Sequence, residues 1–297
     1  MFGFLAVRRL ASSAPLISLY TYTLGLTNPL FYRPFVLQPL DKKVVLTNPE
    51  LYSVYDVRCE SGSQVGMLKA GWEVTVSNAV DLFAAVRAGD AVSVVRMVEL
   101  EPALLQARNE QGVSAVLMAC YMGRKEIRDL LIERGAILQL PEAAAAGNLS
   151  RVKELVEGKP DLAKSHSPDG FPVMALAAAF GHEDVVRYLH GAGADVNAVA
   201  TNGTGYTALT GAVAGSHASL AKWLAENGAD VNYRYAKGHS PLLEAAANGK
   251  LDIVKMLVAR GADVQMRTEG GKNALNFAQE RGHKELADYL LGLGLTA

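Results

Sequence analysis

From about residue 78 onward the apolar residues come in short helical bursts separated by glycine. The stretch from Gly228 to Gly261 shows the pattern most clearly. Ser240 can cap a helix whose first position is Pro241, because a serine oxygen accepts from an unpaired backbone N–H and proline has none to lose. That helix is short and stops at Gly249, a residue that tolerates the left-handed backbone of a helix end. Asp252 then sits in the first turn of a second helix, where a negative charge is favourable. Ile253, Val254, Leu257 and Val258 fall at i, i+1, i+4 and i+5, one apolar face, and Gly261 ends the helix. A hairpin of roughly 33 residues built this way exposes Leu242, Ala245, Ala246 and that face, so it must stack on copies of itself.

The copies are present. The residue between the two helices recurs as Gly89, Gly123, Gly147, Gly181, Ser216, Gly249 and Gly282, spaced 34, 24, 34, 35, 33 and 33. The unit resembles the ankyrin repeat. Ser240-Pro241-Leu242 and Asn273-Ala274-Leu275 stand where that family has Thr-Pro-Leu, and Gly193-Ala194-Asp195-Val196-Asn197 is similar to its closing turn. The resemblance covers about Ala79 to the C-terminus. It implies an all-α fold: a helix-turn-helix solenoid of about seven repeats with extended finger loops. The array is expected over 78–297, preceded by a leader over 1–77.

A second period lies inside the array. Gly89, Pro102, Gly112, Gly123 and Gly135 are matched 58 residues later by Gly147, Pro160, Gly170, Gly181 and Gly193, so repeats one and two look duplicated as repeats three and four. Between Gly135 and Pro141 a finger has no room. A gap in the finger row, and an interrupted concave face, are therefore expected between the second and third repeats. Repeat five has instead a longer, looser finger with the tip Thr201-Asn202-Gly203-Thr204-Gly205. The last first-helix carries Gln279, Glu280 and Arg281, as a water-facing terminal repeat should.

Residues 1–40 contain no Asp or Glu and carry Arg8, Arg9 and Arg33. Four readings stay open: a secretory signal without a small-residue cleavage site; a membrane helix over 10–32, interrupted by Pro15 and Pro29; an organelle transit peptide; and a loose tail upstream of a start at Met67. Over 34–77 the runs Lys43 to Thr47, Tyr52 to Val57 and Trp72 to Val76 have strand character, with too little apolar sequence for a core of their own.

Composition narrows the chemistry. With 29 basic and 30 acidic side chains the net charge is −1, so no broad field exists to hold nucleic acid or an anionic membrane surface. Only Cys59 and Cys120 are present, which excludes a disulfide framework and a cysteine metal site. His182, His217 and His283 open second helices at equivalent positions, and a full repeat width of about 10 Å separates them, far beyond the ~2 Å reach of a metal bond. They are read as bonding a neighbouring turn. His166, His190 and His239 have no partner at ligand spacing. Glu60-Ser61-Gly62-Ser63 is the nearest approach to a nucleophile motif and is not on a strand-turn-helix. Gly203-Thr204-Gly205 and Gly191-Ala192-Gly193 lack the strand, lysine and threonine of a phosphate loop. Asp195, Asp230 and Asp263 are read as binding their own backbone. No catalytic, cofactor or metal residue is expected, and the chain is not expected to be an enzyme.

What remains is surface. In the family it resembles, the residue after the finger glycine and the two before the inter-helix glycine face the concave groove. Carried over, the first set is Val113, Phe171, Tyr206, His239 and Lys272. The second includes Tyr121 and Met122, Ala179 and Phe180, Ala214 and Gly215, Ala247 and Asn248, and Glu280 and Arg281. Tyr233, Arg234 and Tyr235 lie on the finger entering repeat six. The partner-binding candidates are Tyr121, Phe171, Phe180, Tyr206, Tyr233, Arg234, Tyr235, His239 and Lys272, since aromatics and arginine are the usual anchors of a protein interface. For Phe171 and Phe180, packing between fingers is the competing reading. The expected function is a non-catalytic interaction module or scaffold. Its partner is another protein, not nucleic acid or a membrane, and the chain is expected to be a cytoplasmic monomer. The alternative is an enzyme-associated or membrane-tethered regulatory subunit, organelle-targeted or anchored through residues 1–33.

Overall fold

The computed structural model describes residues 79–296 together with four strand segments of the preceding sequence. The chain divides into two units, Met1–Asn78 and Ala79–Ala297. In the first, β1 (Ser18–Thr21), β2 (Lys43–Asn48), β3 (Leu51–Arg58) and β4 (Glu73–Thr75) pair antiparallel in the order β1-β3-β2-β4. Within the 10–32 run read as a membrane helix the described residues, Ser18–Thr21, are strand; the targeting and start-site readings of the leader, Cys59 and the Glu60 to Ser63 segment lie outside the described residues.

The second unit is all-α: seven stacked helix pairs. They are α1 (Ala79–Ala88) with α2 (Ala91–Leu100), α3 (Ala115–Tyr121) with α4 (Lys125–Glu133), and α5 (Leu140–Ala146) with α6 (Leu149–Gly158). Next come α7 (Val173–Ala179) with α8 (Glu183–Gly191), α9 (Ala208–Ala214) with α10 (Ala218–Glu226), α11 (Pro241–Ala247) with α12 (Leu251–Ala259), and α13 (Ala274–Glu280) with α14 (Lys284–Gly292). The capping residues act as their chemistry dictates. Ser240 Oγ accepts from the Leu243 N–H, Ser114 Oγ from Leu117, and Thr207 with Thr210 and Asn273 with Asn276 close reciprocal capping boxes. Ile253, Val254 and Leu257 are buried, as the periodicity of α12 requires.

First helices lie at the centre of the stack and are made of small residues. At Gly211 a β-carbon would stand 2.9 Å from the Ala175 carbonyl oxygen, so glycine is what lets α9 close on α7. The closing turns stitch one repeat to the next. Asp195, Asp230 and Asp263 each accept from the backbone N–H two residues on. Asn197 donates to the Gly228 carbonyl and accepts from the Asp230 N–H, and Asn232 does the same one repeat later with Gly261 and Asp263.

The fingers form a row of their own. Their arms meet at Arg108 with Ser114, His166 with Pro172, and Tyr235 with His239. Consecutive fingers are tied by Thr201 N–H to the Gly170 carbonyl, Ala236 N–H to Thr204, and Glu269 N–H to Lys237. Repeat three has no finger, as expected, since only 134–139 separate α4 from α5. The expected gap, however, is closed: a β-carbon on Gly112 would stand 2.9 Å from Pro168 Cβ, so the fingers of repeats two and four touch directly. With only 134–139 between α4 and α5, no finger of repeat three stands between the two.

Candidate functional site

Between the fingers and the first helices runs a line of rings. Tyr121, at the end of α3, lies 6.3 Å from Phe171 on the finger of repeat four and 6.2 Å from Phe180 at the end of α7. Phe171 meets Tyr206 edge-on at 6.5 Å, and Tyr206 meets Tyr235 at 5.4 Å with their planes 83° apart. Tyr235 continues to His239 at 5.9 Å, His239 to Phe277 at 5.6 Å, and the Lys272 ammonium sits 5.9 Å over the Phe277 ring. Edge-on and offset ring pairs at these separations are the favoured ones. The ladder crosses the fingerless repeat through Tyr121, so the interrupted concave face expected from the spacing is corrected along with the finger gap.

Seven of the nine candidates join this ladder: Tyr121, Phe171, Phe180, Tyr206, Tyr235, His239 and Lys272. The other two lie at its margin. The Tyr233 hydroxyl stands beside Gly205 on the preceding finger, and exposed Arg234 donates to the Arg267 carbonyl at 3.0 Å, bracing the next finger. Exposure separates the seven further. Tyr121, Phe171, Phe180, Tyr206 and His239 are half-buried and Lys272 is exposed, whereas Tyr235 is only 9% exposed and its hydroxyl donates to Glu244 Oε2 at 3.2 Å. Tyr235 is therefore a structural wall of the groove. Val113, which the resemblance placed in the groove, is 3% exposed and belongs to the core.

Two groove residues escaped the sequence reading. Glu244 and Phe277 occupy the same place in successive repeats, five residues before the inter-helix glycines Gly249 and Gly282. In most other repeats that column holds buried residues, Met118, Glu142 and Leu176 among them, so it carries no surface signal. Glu244 is half-buried; Oε2 accepts from Tyr235 and Oε1 from the Asn248 amide at 3.1 Å. Among the described residues no cation lies within ion-pairing distance of it. Burial, and then the charge of Glu244, push the phenols of Tyr206 and Tyr235 above their ordinary range. At the other end Tyr121 is raised in the same way, first by burial, with its hydroxyl enclosed beside Asp169 and Ser167. His239 Nδ1 is enclosed and makes no hydrogen bond among the described residues.

Elsewhere the titratable groups serve the stack. His182, His217 and His283 place Nε2 at 3.0, 3.1 and 3.3 Å from the carbonyls of Ala145, Ala179 and Ala247 in the preceding repeat. No set of three or more potential metal ligands gathers among the described residues. Cys120 is buried, and burial pushes its thiol up to about 12, which leaves it neutral and a poor nucleophile at neutral pH. No described helix is long and apolar enough to cross a membrane.

Comparison with known proteins agrees with this architecture. The family profile described as "Ankyrin repeats (3 copies)" matches residues 140–235 and 233–296, just over half of the chain. The human protein "Ankyrin repeat and KH domain-containing protein 1" is 33% identical over 128 residues, 43% of this chain. The match spans about 4% of that protein's own length.

Proposed function

The chain belongs to the ankyrin repeat family, whose members are generally non-catalytic modules that bind other proteins, and from that premise we propose that it holds a partner protein against the ring-lined groove of repeats two to seven. The observation that carries this reading is the unbroken ladder from Tyr121 to Phe277. Half-buried rings held in position by their neighbours lose little entropy on binding, and aromatic residues are enriched among interface anchors. Phe171, Phe180, Tyr121, Tyr206, His239, Phe277 and Lys272 supply the contacts, Tyr235 holds the wall, and Tyr233 and Arg234 flank the sixth-repeat finger. The near balance of charge supports a protein rather than a nucleic acid as partner. On this reading the array over 78–297 is the binding unit, the leader over 1–77 is separate from it, and the chain works as a cytoplasmic monomer.

Alanine at Tyr206 or at His239 tests the reading. Interface anchors lose about 2 kcal/mol or more on truncation, a loss of roughly thirtyfold in affinity, with little change in melting temperature. If both variants bind as tightly as the parent, the groove is not the recognition face.

A further inference from the structure

Glu244 is the feature the fold does not account for. It projects from a first helix into the groove, half-buried. The Tyr235 hydroxyl donates to its Oε2 at 3.2 Å, and the Tyr206 ring packs against Tyr235 beside it. The two rings meet almost at right angles, 83° at 5.4 Å, and His239 and Phe277 extend the same wall. The two rings meet edge to face, and the half-buried Tyr206 ring beside a carboxylate gives a region of negative potential, since the face of a ring carries the negative end of its quadrupole. Its polar contacts, Tyr235 and Asn248, are both neutral donors, so the negative charge stays uncompensated within the described residues. The other carboxylate at this end of the groove is satisfied differently: Glu280 holds Lys272 at 2.7 Å.

We propose that Glu244, with Tyr206 and the His239 to Phe277 wall, forms a subsite for a basic side chain, lysine or arginine, on an extended segment of the partner protein. This rests on the groove being the recognition face. The cation lies against the open face of Tyr206 and pairs with Glu244, replacing hydration by a charge-assisted hydrogen bond and a ring contact. A neighbouring apolar residue of the same segment meets Phe171 and Phe180. Acidic segments are rejected here, because a second carboxylate beside Glu244 is repelled.

The test uses the full chain and pools of synthetic peptides of about twelve residues, long enough at roughly 3.3 Å per residue to reach from Glu244 to Phe180 two repeats away. The central position is fixed as arginine, lysine, citrulline or glutamate and the remainder randomised. Binding is read by fluorescence anisotropy. Arginine and lysine pools are expected to bind over citrulline and glutamate pools. The tightest peptide should weaken at least about tenfold on Glu244→Gln, with the melting temperature retained because glutamine keeps an acceptor for the Tyr235 hydroxyl. A citrulline pool that binds as well as the arginine pool overturns the proposal, as does unchanged affinity for Glu244→Gln. If the peptide is lost on Tyr206→Ala and Phe180→Ala yet kept on Glu244→Gln, the groove reading stands and the basic subsite falls. If none of the three changes binding, both fall.

Discussion

The imidazole of His182 occupies the space that a side chain on Gly147 would need: a β-carbon there would lie 2.4 Å from Nδ1. The same lock recurs between Gly181 and His217 and between Gly249 and His283. Each of these glycines also has a positive φ, 73° at Gly147, and so answers two demands at once. Gly123, with φ 65°, has nothing within 4 Å and answers only the backbone one. Gly147→Ala should therefore destabilise by about 2 to 4 kcal/mol, combining left-handed strain with displacement of the histidine. Gly123→Ala should cost about 1 kcal/mol. Chemical denaturation of the two variants side by side checks the difference.

His182 also links stability to pH. Its burial favours the neutral ring and lowers its pKa below 6.5, against the opposing effect of the hydrogen bond to Ala145. Because the folded pKa is the lower of the two, the stabilisation is present above about pH 6.5. It is lost as the pH falls through the folded value. Melting temperatures recorded from pH 8 down to about pH 5 should decline more steeply for the parent than for His182→Asn, which has no such group to titrate.

The seam at repeat three contains a buried ion pair. Glu142 is fully buried, 3.0 Å from Arg108 Nη1, yet neither carboxylate oxygen makes a well-directed hydrogen bond. Arg108 is partly open to water and shares the same nitrogen with the Gly112 carbonyl. Removing the cation alone strands a buried charge, and Arg108→Met should destabilise by about 2 to 3 kcal/mol, below the full range for enclosed pairs because of that exposure. The double variant Arg108→Met with Glu142→Leu should recover most of the loss. A double-mutant cycle by urea unfolding measures it, and additive losses would show that the two residues are not coupled.

Ser216 stands alone among the inter-helix residues in not being glycine, with φ 63°. Ser216→Gly relieves left-handed strain of about 1 to 2 kcal/mol, partly offset by the greater freedom of glycine in the unfolded chain. A rise in melting temperature of about 1 to 3 °C is expected for an array of this size. Calorimetry resolves a shift of that size.

The sequence shows repetition more readily than contact. Inter-helix glycines, serine and asparagine caps and the apolar faces of second helices are local features, each set by a few neighbouring residues, and they locate all seven helix pairs. The continuity of the groove depends instead on residues a repeat or more apart. Tyr121 reaches Phe171 and Phe180 across the third repeat, where no finger stands between them. Spacing alone pointed the other way. The resemblance places Val113 in the groove and Tyr235 is an aromatic on a finger, so both read as surface, whereas both are buried in the structure. Glu244 and Phe277 lie at a first-helix position that is buried in most other repeats, so their local sequence does not mark them as groove residues.

Which face recognises the partner is decided most directly by photocrosslinking. A benzophenone side chain is placed singly on the full chain, at Met122 or Lys272 beside the groove, and at Lys222 or Lys255 on the exposed second helices. Each variant is irradiated in the cell extract from which the parent captures its partner. Adducts to the same protein from positions 122 and 272, absent from 222 and 255, are the expected result. Adducts confined to positions 222 and 255 would place recognition on the second helices and contradict the groove as the binding face.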